Sequence, residues 1–258
     1  MLDRRWRWRG SRLRINAFSF IATTNVMDRK TDKDRKIIDS WSTNASPWIR
    51  AVRDREIESR KLVTDQAIVD AVMNRNPKSV LDLGCGEGWL ARELDARGAE
   101  VIGVDVVADL VAAARQAGGG DFRTMPYEDV ARGLLVVSVD IVVCNFSLIG
   151  AQVVDDLICA TPSLLNTGGT LIVQTLHPVA ACGDRPYADG WREGSWAGFS
   201  NDFTDPAPWY FRTIEGWTGL FETAGFSGIE ISEPLHPDTH LPASIIFCAK
   251  VSEAQVSH

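Results

Sequence analysis

The residues best placed to do chemistry form the run Asp82-Leu83-Gly84-Cys85-Gly86-Glu87-Gly88, where an apolar strand pattern turns into a helical one. Glycines there let the backbone approach a ligand closely, and the free N–H groups of a helix start favour an anionic group. A dinucleotide fingerprint of the form GxGxxG would need glycine at position 89, which is Trp89, so the spacing here is GxGxG. Two carboxylates bracket the loop. Asp82 precedes it, and Asp105 closes the next strand 19 residues after Gly86, where a carboxylate accepts hydrogen bonds from both hydroxyls of a ribose. His177 follows the fifth strand pattern directly, with Pro178 fixing the turn. It is the candidate general base; the alternative is a histidine satisfied by the backbone in a tight turn.

The elements that must position these groups are legible from periodicity. Leu62, Val63, Ala67, Ile68, Ala71 and Val72 share one face of an expected helix over Leu62–Arg75, which Asn76-Pro77 ends. Strands are expected at Ser79–Leu83, Glu100–Val104, Asp121–Thr124, Asp140–Cys144 and Thr170–Thr175, then at Ile229–Ser232 and Ser244–Val251. Between them helices are expected at Trp89–Arg97, Ala108–Ala117, Glu128–Arg132, Val153–Leu165 (through Pro162) and Ile214–Ala224. Continuous Val/Ile/Leu strands alternating with helices predict a parallel sheet covered on both faces, a doubly wound Rossmann-like α/β fold. Nine of the 22 aromatic residues fall between Tyr187 and Trp217, among prolines and glycines and with no helical or strand period. Such a segment is expected either as a lid over a ligand or as a satellite core on the sheet edge.

Taken together, these motifs resemble the class I S-adenosylmethionine-dependent methyltransferase family. The resemblance covers Leu62 to Leu176 and the trailing strand pair. It rests on Leu81–Gly88 (LDLGCGEG), Asp105, the segment Met125–Asp129, Asp140–Phe146 (DIVVCNF) and Gly168–Pro178 (GGTLIVQTLHP). It implies a seven-stranded sheet in the order 3-2-1-4-5-7-6 with strand 7 antiparallel, S-adenosylmethionine as cofactor and S-adenosylhomocysteine as product. Carried over by residue, it puts Asp82, Gly84, Cys85 and Gly86 at the methionine end, Asp105 on the ribose and Val106 beside the adenine. Met125 and Glu128 become adenine neighbours, and Asn145 lies near the sulfonium. Similar methyltransferases bring an arginine to the cofactor carboxylate from the segment before the core, which implies Arg60; Arg53 reads as part of a solvated helix face. Methyl transfer is an in-line displacement in which the protein supplies proximity, orientation and water exclusion. A dedicated base is needed only for a neutral hydroxyl or a protonated amine.

The acceptor is expected under a roof made by Trp41 and Trp48 from short helices before the core and by Tyr187, Trp191, Trp209 and Tyr210 from the aromatic segment. Such walls suit a planar or apolar small molecule and can stack on a cation. Either O- or N-methylation fits. The rival readings are a nicotinamide-dependent oxidoreductase, which Trp89 disfavours, and a non-catalytic cofactor-binding module.

Composition bounds the rest. The 258 residues are 45% hydrophobic and 24% charged, as in an ordinary globular protein, and apolar runs fall far short of the roughly 20 residues that span a bilayer. Five cysteines show no CxxC pair and no histidine at ligand spacing, so neither a disulfide framework nor a metal site is indicated, and a reducing, cytoplasmic setting is the default. Residues 1–26 hold six arginines against Asp3, so the remainder of a net −7 chain carries −12 and repels nucleic acid. No nucleic-acid or membrane partner is expected, and either a monomer or a homodimer fits. The organisation expected is a basic disordered leader over 1–26, a helical extension over 27–61 and a methyltransferase domain over 62–258 with a lid at 179–213. A nucleic-acid arm or a targeting peptide are the other readings of the leader.

Overall fold

The computed structural model describes residues 32–251, so the expected leader lies outside the described residues. Helix α1 (residues 32–43) and α2 (Ala45–Arg53) meet at Asn44. Arg50 and Arg53 lie in the last turn of α2, where cations complement the helix dipole. The helix expected over Leu62–Arg75 instead begins as a π-helical turn, Arg60–Thr64, and becomes α-helical only as α3 (Asp65–Met73).

The alternation that follows is β1 (Ser79–Leu83), α4 (Trp89–Asp95), β2 (Glu100–Asp105), α5 (Ala108–Ala117), β3 (Asp121–Thr124), α6 (Tyr127–Ala131) and β4 (Val139–Asn145). Then come α7 (Gln152–Ala160), β5 (Leu165–Thr175), α8 (Pro178–Cys182), β6 (Gly190–Arg192), β7 (Trp209–Phe211), α9 (Ile214–Thr223), β8 (Phe226–Ser232) and β9 (Ile245–Val251). The large sheet runs β3-β2-β1-β4-β5-β9-β8, with β9 antiparallel to both neighbours. That is the order expected, β8 and β9 being its sixth and seventh strands.

Alternate strand residues feed two cores, as a period of two requires. Leu81, Val142, Leu171 and Phe247 pack with Leu157 and Phe221 of α7 and α9 on one face. Val80, Ile141, Ile172 and Ile246 pack with Ile68, Leu90 and Val111 of α3, α4 and α5 on the other.

Two local expectations are corrected. The helix expected to pass through Pro162 stops at Ala160; Pro162 sits in a 3-10 turn, Thr161–Leu164, because a proline has no N–H to continue the helical ladder. Leu165 already belongs to β5 and pairs with Val139, ahead of a register shift in β4. The aromatic segment, for which no period was found, contains a two-stranded hairpin in which β6 and β7 pair Trp191 with Tyr210. Three residues per strand are too few to show alternation.

Candidate functional site

Strand β1 lies between β2 and β4, so their carboxyl ends open side by side where the sheet order reverses, the usual position for a ligand in such sheets. The glycine loop is tied to the end of β2: the N–H groups of Gly84 and Cys85 both donate to the Val104 carbonyl, at 2.7 and 3.0 Å. Asp105 then takes the Gly86 N–H on Oδ2 and the Val107 N–H on Oδ1, each at 2.9 Å. Its burial pushes the carboxyl pKa up, against the backbone N–H groups of Val107, Gly86 and Val106, which pull it down. Each oxygen keeps a lone pair for a further donor.

Gly84 adopts φ +78°, and a Cβ there would collide with Ser147 and the Tyr127 hydroxyl, so the loop closes directly on the residues after β4. Ser147 Oγ donates to the Leu83 carbonyl at 2.6 Å. Gly86 faces the other way: its nearest neighbour would be Trp48 Nε1 at 3.7 Å, which leaves an open cradle. Behind the loop, Glu87 is fully buried and held by Arg92 (2.6 Å) and Arg53 (3.0 Å). Arg53 is exposed, as expected of a solvated helix face, and in addition ties α2 to the loop through Glu87.

Two adjoining chambers open over this loop. The first is bounded by Asp34 and Ile37 of α1, by Asp105, Val106 and Val107, and by Tyr127 and Glu128. The second, of about 460 Å³, runs from Arg60, Cys85 and Trp89 to Trp196, Phe199, Trp209, Tyr210 and Arg212. Trp41, Trp48, Gly84, Gly86, Asn145 and Phe146 border both chambers. Asn145 Oδ1 is buried with no hydrogen-bond partner among the described residues. Phe146 holds φ +53°, a strained backbone for an aromatic residue, and its N–H donates to the Gln174 carbonyl at 2.8 Å.

Sequence reasoning and geometry meet on most of the named residues. Arg60, Gly84, Cys85, Gly86, Asp105, Val106, Glu128, Asn145, Trp41, Trp48, Trp209 and Tyr210 all line one chamber or both. Five do not reach either wall. Asp82 lies beneath the loop, 1% exposed, with Oδ1 unpartnered; burial and the neighbouring Asp105 raise its pKa to about 7. Met125 packs against the core while the next residue, Pro126, faces the first chamber. The Tyr187 hydroxyl accepts from the Ile214 N–H at 3.0 Å, and its ring packs on Phe211. Trp191 stands against Tyr210 with Lys33 over its ring at 4.9 Å. His177 is buried, and its Nε2 pairs with Glu233 Oε1 at 2.8 Å, tying the turn before α8 to the loop after β8. Leu176 and Pro178 on either side of it line the second chamber, but the imidazole does not.

The residues that sequence reasoning missed are Asp34, Tyr127, Phe146, Ser147, Trp196, Phe199 and Arg212. Asp34 has its pKa raised to about 6, by burial first and then by Glu128. Trp196 and Phe199 pack edge-on to Trp41 and tilted on Trp48, with centroids at 5.6 and 6.2 Å, so the aromatic segment and the N-terminal helices make one roof. The Asn44 side chain clips it: Nδ2 donates to the Thr204 carbonyl at 2.8 Å and Oδ1 accepts the Thr204 N–H at 2.9 Å.

This fold and site define a class of protein, and comparison with known proteins places the chain within it. Residues 54–231 match the methyltransferase domain family, to which the chain therefore belongs. It is 30% identical over 160 residues to trans-aconitate 2-methyltransferase of Mycolicibacterium gilvum, covering 61% of each chain. It is 33% identical over 106 residues to ubiquinone biosynthesis O-methyltransferase of Acinetobacter baylyi, covering 39% of this chain and 44% of that one. The chain thus spans about half the length of the curated relatives it matches. Among solved structures, magnesium protoporphyrin IX methyltransferase from Synechocystis, crystallised with S-adenosylhomocysteine and also with S-adenosylmethionine, shares the fold. The first of these superposes with a TM-score of 0.57 at 20% identity, over 84% of this chain and 98% of that one. The fold is that of the S-adenosylmethionine-dependent methyltransferases, enzymes whose cofactor is S-adenosylmethionine and whose product is S-adenosylhomocysteine.

Proposed function

We propose that this chain transfers the methyl group of S-adenosylmethionine to a small acceptor on an apolar or aromatic skeleton, at oxygen or nitrogen. The observation that carries the reading is the meeting of two chambers at one loop, with Gly84, Gly86 and Asn145 on their shared border. The cofactor fits the residues present. Asp105 keeps lone pairs toward the first chamber for the ribose hydroxyls, Val106 and Glu128 flank the adenine position, and Gly86 leaves a cradle that a Cβ would fill. The unpartnered Asn145 oxygen awaits a donor near the sulfonium, and Arg60 stands at the end where the cofactor carboxylate would lie. Asp82 and Met125 support this set from behind the wall. When bound, the cofactor supplies an electrophilic methyl group. The protein holds the acceptor in line with it and excludes water.

Trp41, Trp48, Trp209 and Tyr210 supply the apolar wall for the acceptor, and His177, tied to Glu233, serves as a tether for the chamber's outer loop. Relatives named for acting on trans-aconitate and in ubiquinone biosynthesis agree with a small acceptor. The test is thermal unfolding of the full chain with S-adenosylmethionine, S-adenosylhomocysteine or NAD. At 100 times its dissociation constant a ligand adds about 2.7 kcal/mol, a rise of about 5 to 10 °C at this size. A rise with the first two and not with NAD, removed by Asp105→Ala, is expected; a rise with NAD alone, or with none of the three, would overturn the reading.

A further inference from the structure

If the second chamber receives the acceptor, as the reading above holds, its wall says what form that acceptor takes. Among the described residues the ionisable side chains on that wall are Arg60, Cys85, Glu87, Tyr210 and Arg212. None is placed to remove a proton. Glu87 is locked between Arg53 and Arg92. The Cys85 thiol is held protonated, its pKa pushed up by burial and then by Asp82 and Asp105. Tyr210 offers a hydroxyl, the arginines offer only donors, and the histidine nearest in sequence, His177, faces Glu233 instead.

The aromatic faces argue separately against a cationic ligand, because the chain's own cations already occupy several of them. The Arg60 guanidinium lies over Trp89 at 4.6 Å and over Trp48 at 5.8 Å, and Arg212 lies over Tyr210 at 4.8 Å. The carboxylates that pair with these arginines, Asp65 and Asp155, stand off the chamber wall. Only Nε of Arg60 is engaged, by Asp65 at 2.8 Å; its two terminal nitrogens are the ones proposed above for the cofactor carboxylate, while the guanidinium still covers Trp89 and Trp48. An ammonium ligand, or an amine that becomes cationic on methylation, would meet the Arg60 guanidinium at Trp48 and Trp89 and that of Arg212 at Tyr210 and Trp217, like charges that repel it.

We propose that the acceptor arrives already ionised: a carboxylate on an apolar skeleton, methylated to its ester. The carboxylate oxygen supplies the electron pair of the new O–CH₃ bond while the C–S bond breaks and its pair passes to sulfur. The acceptor's negative charge and the sulfonium's positive charge are lost together, and no proton is released. A wall without a base is sufficient for this reaction, and it would leave a neutral phenol or a protonated amine without the deprotonation each requires.

The experiment uses the full chain saturated with S-adenosylhomocysteine, whose own binding is measured first by calorimetry. Failure at that step removes the methyltransferase reading itself and is thereby separate from the inference. The probes are 2-naphthoate, 2-naphthol and 2-naphthyltrimethylammonium, one skeleton with an anionic, a neutral and a cationic group. Naphthoate is expected to bind about tenfold or more tightly than either of the others, a difference of about 1.4 kcal/mol. Equal binding, preference for the naphthol or the cation, or no binding by any of the three at millimolar concentration overturns the proposal. A second readout, on the full chain with methyl-tritiated S-adenosylmethionine instead of S-adenosylhomocysteine, follows the tritiated methyl group into products made from a small-molecule extract. Methyl esters release it as methanol in mild alkali, as expected here, whereas label stable to alkali overturns the proposal.

Discussion

Asp105 commits both carboxylate oxygens to the backbone before any ligand arrives, which makes it a strut of the loop in addition to the ribose contact proposed for it. Asp82, one layer below, has no such support: it is buried with an unpartnered oxygen and a pKa raised from 3.8 to about 7. A carboxyl whose native pKa exceeds its unfolded one makes a contribution that is fully present below the unfolded value and is lost as pH rises through the native one. Stability should therefore fall between about pH 4 and 7 on account of this group and level off above, while Asp82→Asn removes that slope. Chemical denaturation of both proteins across this range checks it, and a constant difference between them would sink the assignment. Glu87 makes the opposite case, a buried carboxylate with two arginine partners. Glu87→Ala should lower unfolding free energy by about 2–3 kcal/mol, because the hydrogen bonds to Arg92 and Arg53 are lost while those arginines, partly exposed, regain water; a loss under about 1 kcal/mol in urea melts would show that the triad is not structural. That Gly84, Gly86 and Asp105 meet at one loop was legible in the sequence because local backbone and spacing determine it. Tyr127, Ser147 and Asp34 were not, because what gives them meaning is contact with chain 20 residues or more away.

At the scale of elements, α4 can begin where it does only because Gly88 does two things. It takes a left-handed φ of +82°, and it leaves room for Ala114 of α5 and Phe122 of β3, each 2.9 Å from where a Cβ would sit. Gly88→Ala should cost about 2–3 kcal/mol, combining backbone strain with overpacking. Gly98, at φ +93° with nothing within 4 Å, isolates the strain alone, and Gly98→Ala should cost about 1 kcal/mol. Equal losses in the two melts would mean that packing against α5 and β3 is not what Gly88 protects. The same contrast between local and tertiary causes explains which elements could be read. Strands β1, β2 and β5 are runs of buried aliphatic residues and declare themselves. The π-helical turn at Arg60–Thr64, which aims both Arg60 and Thr64 at the second chamber, has no composition that distinguishes it from the α-helix it precedes. The β6–β7 hairpin was hidden for a related reason: its six residues are mostly aromatic on both faces, so the pattern carries neither period.

Across the whole molecule, the chambers are closed by two segments about 150 residues apart in sequence that act as one body. Helices α1 and α2 bring Trp41 and Trp48; the stretch between β6 and β7 brings Trp196, Phe199 and Phe203, and the rings interlock with centroid separations of 4.9 to 6.2 Å. Polar contacts cross the same seam: Asn44 to both backbone groups of Thr204, Ser40 Oγ to the Asp205 carbonyl, and Arg50 to Asp202. A segment held this way cannot lift without carrying its partner or breaking these part-buried hydrogen bonds. Since α1 touches the first chamber, proposed for the cofactor, and the β6–β7 stretch touches the second, cofactor binding should slow amide exchange in both segments together, although residues 194–206 border the second chamber. Asn44→Ala should uncouple them, at a cost of about 2 kcal/mol in stability. In hydrogen exchange with S-adenosylhomocysteine, residues 32–53 of this variant would keep most of their protection while residues 194–206 lose it. Protection of 194–206 that survives the substitution would show that the interlocked rings alone transmit closure from one chamber to the other, and that the amide clip merely accompanies it.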